Sequence, residues 1–163
     1  MSEANAYLNE DGEMMSLWRA MVSQGENIPV TMPVRGVSML PLLKAGRDKV
    51  TVVPLCREPI VGDIIVFCAD ADFYVVHRIR GLTDTHVETI GDNCLEPDKR
   101  FAYEAVCGLV THIQRRNRQI CIDTPFWRGY GRLWMAMLPV RAFYRKNIRY
   151  PLGRLARKFI KKK

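Results

Sequence analysis

The sequence predicts a mainly β protein: an antiparallel sandwich or coiled barrel, preceded by an N-terminal helix and followed by basic C-terminal helices. Three observations carry this. Between residues 31 and 122, short runs of β-branched and apolar residues alternate with turn sequences. Before them, apolar residues recur at helical spacing. After them the charge changes abruptly. Residues 1–127 hold 13 Lys/Arg and all 17 Asp/Glu, whereas residues 128–163 hold 12 Lys/Arg and no acid. The formal net charge of +8 therefore belongs to the tail, not the body. A chain of 163 residues suits one domain with appendages. It divides into a helical segment (1–30), a β-rich body (31–122) and a basic amphipathic tail (123–163).

The elements follow in order. Residues 4–24 form the first helix, with Met14, Met15, Leu17, Trp18, Met21 and Val22 along one side. Glu10, Asp11 and Glu13 suit the dipole of its stronger part, and Gly25 suits its end. Its apolar side packs on the body or on a partner. Residues 28–33 are an extended approach to the stretch Gly36-Val37-Ser38-Met39-Leu40-Pro41. A turn at 45–48 leads to a strand at 49–55, and a second turn at 58–63 leads to a buried strand at 64–69. Residues 70–72 close a hairpin onto a strand at 73–79. Period two puts Phe73, Val75, His77 and Ile79 on one face of it, with Arg78 and Arg80 on the other. Further strands fall at 85–90, 105–113 and 118–122, with Gly91-Asp92-Asn93 stopping the first and a loop at 94–100.

The tail starts near Asp123 with a loop at 127–132. Residues 133–149 are helical, interrupted at Pro139. From Pro151, Leu152, Leu155, Ala156, Phe159 and Ile160 line one helical face among Arg and Lys. Such a helix either packs on the core or lies in the plane of an anionic membrane surface.

Several classes of function find no support. Five cysteines without a Cys-x-x-Cys pair fit reduced thiols, not zinc or a disulfide framework. Met1 to Glu13 is too polar and acidic for a secretory leader, and no run approaches the length that spans a bilayer. There is no Gly-rich phosphate loop, and one N-terminal helix is too little for a DNA-reading module. No cofactor or metal is expected. The expected setting is the cytoplasm, with the tail available to the inner face of the membrane.

Ser38 is the candidate for chemistry. Gly36 before it permits backbone angles that other residues resist, and Pro41 after it restrains Leu40. A serine in such a corner can be exposed with its own N–H aimed into the same space, as a nucleophile requires. An ordinary turn serine fits the same residues. A serine nucleophile needs a base, and His77 is the best placed of His77, His86 and His112; Lys44 and Lys49 lie in wet, turn-like sequence. An orienting carboxylate would come from Asp92 or Asp98, although loop aspartates are usually turn formers.

Four boxes in order then give a resemblance: Gly36-Val37-Ser38-Met39-Leu40-Pro41, Val61-Gly62-Asp63-Ile64-Ile65-Val66-Phe67, Tyr74-Val75-Val76-His77-Arg78-Ile79-Arg80-Gly81-Leu82 and Gly91-Asp92-Asn93. Together they resemble the signal peptidase I clan, which also contains the self-cleaving SOS repressors. The resemblance implies a coiled antiparallel β peptidase fold and a Ser38 nucleophile. The clan's bacterial enzymes place a lysine base where this chain has His77, so it looks like the endoplasmic-reticulum and spore-former type. In that type an aspartate shortly after the Gly-Asp-Asn box completes a triad; Asp98 matches that position and Asp92 the box itself. The implied substrate is an extended leader or signal peptide cut after a small residue. Two departures stand out. Gly36 replaces a serine that many signal peptidases use at the oxyanion, as in the repressor branch, and the clan's membrane anchor is not visible. Three functions follow from these residues. The first is a serine endopeptidase. The second is a self-cleaving regulator, though no Ala-Gly or Cys-Gly bond precedes Ser38. The third is an inactive peptide-binding or membrane-surface adaptor. The expected partners are a peptide or protein substrate and, through residues 133–163, an anionic membrane surface; no specific nucleic acid is expected.

Overall fold

A computed structural model describes residues 3–70, 73–145 and 147 of the chain. The first helix, α1 (Glu3–Ser23), is followed by eight strands: β1 (Val30–Pro33), β2 (Asp48–Val53), β3 (Ile64–Asp70), β4 (Phe73–Leu82), β5 (His86–Ile90), β6 (Phe101–Ala102), β7 (Val106–Arg115) and β8 (Arg118–Cys121). Two helices follow, α2 (Pro125–Ala136) and α3 (Leu138–Tyr144). All strand pairings are antiparallel and form one sheet in the order β1-β2-β7-β3-β4-β5-β6. Strand β8 pairs with the second half of β7, beyond the point where β3 leaves it. The sheet does not close: β1 and the two-residue β6 end the order without pairing with each other. The mainly β, antiparallel architecture is as expected, whereas closure into a barrel is not seen among the described strands, which form one open sheet. The extended approach at 28–33 becomes its terminal strand.

β3 explains how one sheet holds two cores. Ile64 and Val66 join a cluster with Val50, Val52, Val110 and Ile113, while Ile65 and Phe67 face a second cluster with Ile79, Val87 and Leu109. Alternate residues of a strand point to opposite faces, so a strand buried on both is continuously apolar. Met15 and Trp18 of α1 cover the first cluster and are 0% and 5% exposed, so this helix packs on the body. Its end is closed as expected near Gly25, whose N–H reaches Val22 O while that of Glu26 reaches Met21 O.

Asp48 ties the segment after Ser38 to the sheet. It is buried, accepts from the Lys44 N–H and pairs with Arg47 and Arg115. Arg115 also donates to Leu42 O at 2.6 Å. Burial alone would raise this carboxyl's pKa, but Arg47, Arg115 and the Lys44 N–H outweigh it and hold the pKa well below the usual range. Because the folded value is lowered, the contribution to stability is fully present above the unfolded carboxyl pKa of about 3.9 and is lost as pH falls through the folded value. Asp48→Asn is expected to cost about 2–3 kcal/mol at neutral pH. In thermal melts across pH, the gap between wild type and variant should narrow on acidification; a constant gap would contradict this account.

The chain at 127–132, expected as a loop, is helix. Thr124 caps α2, its side chain accepting from the Trp127 N–H, and Pro125 occupies the first turn. Two glycines within the helix obscured this in the sequence, and Gly131 has a packing reason. The helix crosses the backbone at Gly62 so closely that a Cβ there would sit 2.6 Å from Gly131 C and Arg132 N. Asp123, bridged to Arg57 and Arg128, fixes the start of the helix on the body. The ladder runs on through Met137, with Pro139 in the first turn of α3, where the interruption was expected. The expected amphipathic helix from Pro151 lies outside the described residues. No helix among the described residues is long and apolar enough to cross a membrane.

Candidate active site

Ser38 lies in the turn after β1, half-buried. Gly36, two residues earlier, has φ of +67°, in the left-handed region that favours glycine. The following Leu40–Pro41 peptide is cis. Asn93 fixes the turn from the other side. Its N–H donates to Ser38 O at 2.6 Å, and its side-chain amide donates to Val37 O at 3.0 Å. In a trans peptide the carbonyl and the next N–H point in opposite directions, so the Ser38 N–H is directed away from Asn93.

His77 sits on β4, opposite Ile65 of β3, and is 8% exposed. Its Nδ1 lies 2.6 Å from Asp98 Oδ2. Asp98 is in turn held by β5: its N–H donates to Thr89 O at 2.9 Å, and Thr89 Oγ1 donates to Asp98 Oδ2 at 2.6 Å. Burial pushes the Asp98 carboxyl upward, but the hydrogen bonds from His77 and Thr89 prevail and hold it below the usual carboxylate range. An ionised Asp98 can only accept, so Nδ1 is the donor. In the neutral imidazole, Nε2 then carries the lone pair.

Gly91 brings the two halves together. A Cβ at this position would lie 2.7 Å from Ser38 O, 3.0 Å from His77 Nε2 and 2.8 Å from Cys94 Sγ. Ser38 O and Nε2 are therefore no farther apart than the sum of the first two distances. No side chain larger than hydrogen fits between them. Ser38 also marks the meeting of two grooves. One, about 350 Å³, is lined by Met32, Val34, Met39, Tyr74 and Val76. The other, about 620 Å³, is lined by His77, Asp98, Phe67 and Phe101.

The structure separates the two aspartates that the sequence left open. Asp98 meets His77. Asp92 turns to Arg78, the next residue along β4, and takes Nε and Nη2 on its two oxygens at 2.7 Å each. Both partners are buried, Arg78 at 3% and Asp92 at 2% exposed. Arg78 also donates to Gly62 O, and its guanidinium carbon stands 5.9 Å from the centre of the Tyr130 ring. Asp92 is thus a structural partner and not the group that orients the imidazole. Its loop position and its place inside the Gly-Asp-Asn box had concealed this. Of the other histidines, His86 is exposed at the start of β5 and His112 lies within β7, opposite Thr51 and Cys121.

Thr89 was not singled out from sequence, and Asn93 was named only as the last residue of the Gly-Asp-Asn box. Thr89 was one unmarked residue of an alternating strand; it is fully buried, and Asp98 folds back over it. Among the described residues no group of three or more His, Cys, Asp or Glu side chains is arranged to hold a metal ion, and all five cysteines are free thiols. The arrangement orients the imidazole of His77 with Nε2 on the side of the Ser38 turn, as an acceptor in proton transfer requires. Under the expected serine-nucleophile chemistry, Asp98→Asn should lower turnover about 10³–10⁴-fold by releasing the imidazole from its donor tautomer, with little change in thermal stability. A loss below tenfold would mean that this contact does not serve chemistry. No protein-family model matches the chain, and no curated protein matches it.

Proposed function

We propose that the protein is a serine endopeptidase of the signal-peptidase type, with Ser38 as nucleophile, His77 as general base and Asp98 as the carboxylate that orients it. The observation that carries this reading is the 2.6 Å contact between His77 Nδ1 and Asp98 Oδ2, with Nε2 on the side of the Ser38 turn. Ser38 Oγ attacks a peptide carbonyl while Nε2 takes its proton. The imidazolium returns that proton to the departing amine, and water then repeats the cycle on the acyl-enzyme. The Ser38 N–H is the candidate donor to the oxyanion.

The substrate reading is an extended peptide laid beside β1. This strand ends the sheet, and Met32 and Pro33 line the groove at Ser38. Cleavage after a small residue is what the resemblance implies. The setting proposed is cytoplasmic, at the inner face of a membrane.

A fluorophosphonate probe tests the reading directly. Intact-mass and peptide analysis should find one adduct, on Ser38, in the wild type. Ser38→Ala and His77→Ala should both resist the probe. A wild type that stays unlabelled would favour the inactive peptide-binding adaptor instead, and a chain that shortens on storage would favour the self-cleaving regulator.

A further inference from the structure

α2 and α3 present two unlike sides. Toward the body they bury Gly131 and Met135 and place Trp127 against the main core. Away from it, Leu133, Met137, Val140 and Tyr144 follow one another at helical spacing, at 59%, 39%, 64% and 53% exposure. Phe126 and Phe143 extend the apolar surface at 74% and 65% exposure. A continuous row of this kind marks an interaction site. From residue 128 onward the chain carries 12 Lys/Arg and no acid, so the occupant must tolerate apolar insertion and carry negative charge.

The inner side of α3 reaches the candidate site. Arg141 spans from Trp134 O, with its guanidinium 3.9 Å from the centre of the Trp134 ring, to Asp92 O. One turn later Arg145 donates to Asn93 O. Asn93 is the residue whose own N–H and side chain hold Ser38 O and Val37 O. A path of hydrogen bonds thus runs from the helix pair through the 92–93 loop to the Ser38 turn.

We infer that α2–α3 is an in-plane anchor for an anionic lipid surface, and that Arg141 and Arg145 couple its docking to the order of the loop that holds Ser38. The docking stands apart from the peptidase reading, whereas its consequence for cleavage rests on it. Insertion of Leu133 and Val140 at the headgroup boundary, with the exposed Arg132 at the phosphates, immobilises α3. An immobilised α3 keeps both arginines on their carbonyls.

Vesicle flotation of the full chain and hydrogen exchange at the Asn93 amide test both parts. Phosphatidylglycerol-containing vesicles should bind the protein at low salt. Neutral phosphatidylcholine vesicles should not, and roughly 0.5 M salt should release it. Leu133→Asp with Val140→Asp should weaken binding about tenfold or more at unchanged Tm. Equal binding by this variant, no binding to anionic vesicles, or tighter binding to duplex RNA than to vesicles overturns the anchor. On vesicles, exchange at Asn93 should slow about threefold or more in the wild type, but not in Arg141→Ala, which should still float. An unchanged wild-type exchange rate overturns the coupling. If peptide cleavage is never detected, the peptidase reading fails while flotation and exchange still decide the anchor.

Discussion

Ser38→Ala and His77→Ala are each expected to abolish the proposed peptide cleavage, by about 10⁴–10⁶-fold in kcat, with the circular dichroism and thermal melting of Ser38→Ala remaining those of the wild type. Ser38 is half-buried and its recorded anchoring runs through its carbonyl, which alanine retains. His77 is more deeply set, so His77→Gln is the companion variant if alanine loosens the hairpin. The two losses should not add. A nucleophile without its base and a base without its nucleophile are both idle, and the double variant should be as slow as either single one. The measurement is turnover of a peptide that the wild type cleaves. Residual turnover within tenfold of wild type in Ser38→Ala would end the assignment.

Asp92→Ala is expected to be the most destabilising single change near the site. It leaves the Arg78 guanidinium buried at 3% exposure without its two charge-assisted hydrogen bonds. Removing one partner of such a pair costs about 3–5 kcal/mol, which corresponds to a fall of about 10 °C or more in Tm. Asp98→Asn, six residues away, should leave Tm almost unchanged. The contrast separates a carboxylate that holds the fold from one that serves the imidazole. A Tm for Asp92→Ala within a degree or two of wild type would show that solvent or another group replaces it.

Local pattern was enough for most of the sheet. The strands from β2 to β5 and β7 are runs of Val, Ile and Thr bounded by Gly, Asp and Pro, and both signals are local. The hairpin of β3 and β4 followed for the same reason. Closure was not legible, because it depends on whether β1 and β6 meet, and pairing between distant strands leaves no local mark. α2 was missed over residues 127–132 because Gly129 and Gly131 lower helix propensity, whereas the Thr124-Pro125 start signal was present. At the site, Ser38 and His77 stood out by residue type and by their neighbours. The choice between Asp92 and Asp98 did not, because it turns on the path of the chain after β5. Thr89 and Arg141 could not be found from sequence at all, and Asn93 entered only as part of the Gly-Asp-Asn box, without its role. Each acts through a backbone or carboxylate partner that only the fold brings near.

His77 and Arg78 are neighbours on β4, yet one meets Asp98 and the other meets Asp92. A single-residue deletion earlier in β4 would set the Arg78 guanidinium against Asp98 and leave Ile79 against Asp92, whereas an insertion would set the His77 imidazole against Asp92 and leave Val76 against Asp98. Either error alone would be felt, one in turnover and one in melting temperature. The hairpin should therefore tolerate substitutions at its exposed start near Phe73 far better than any change in its length. In a library of variants, length changes between Phe73 and His77 should be almost wholly absent from the folded fraction.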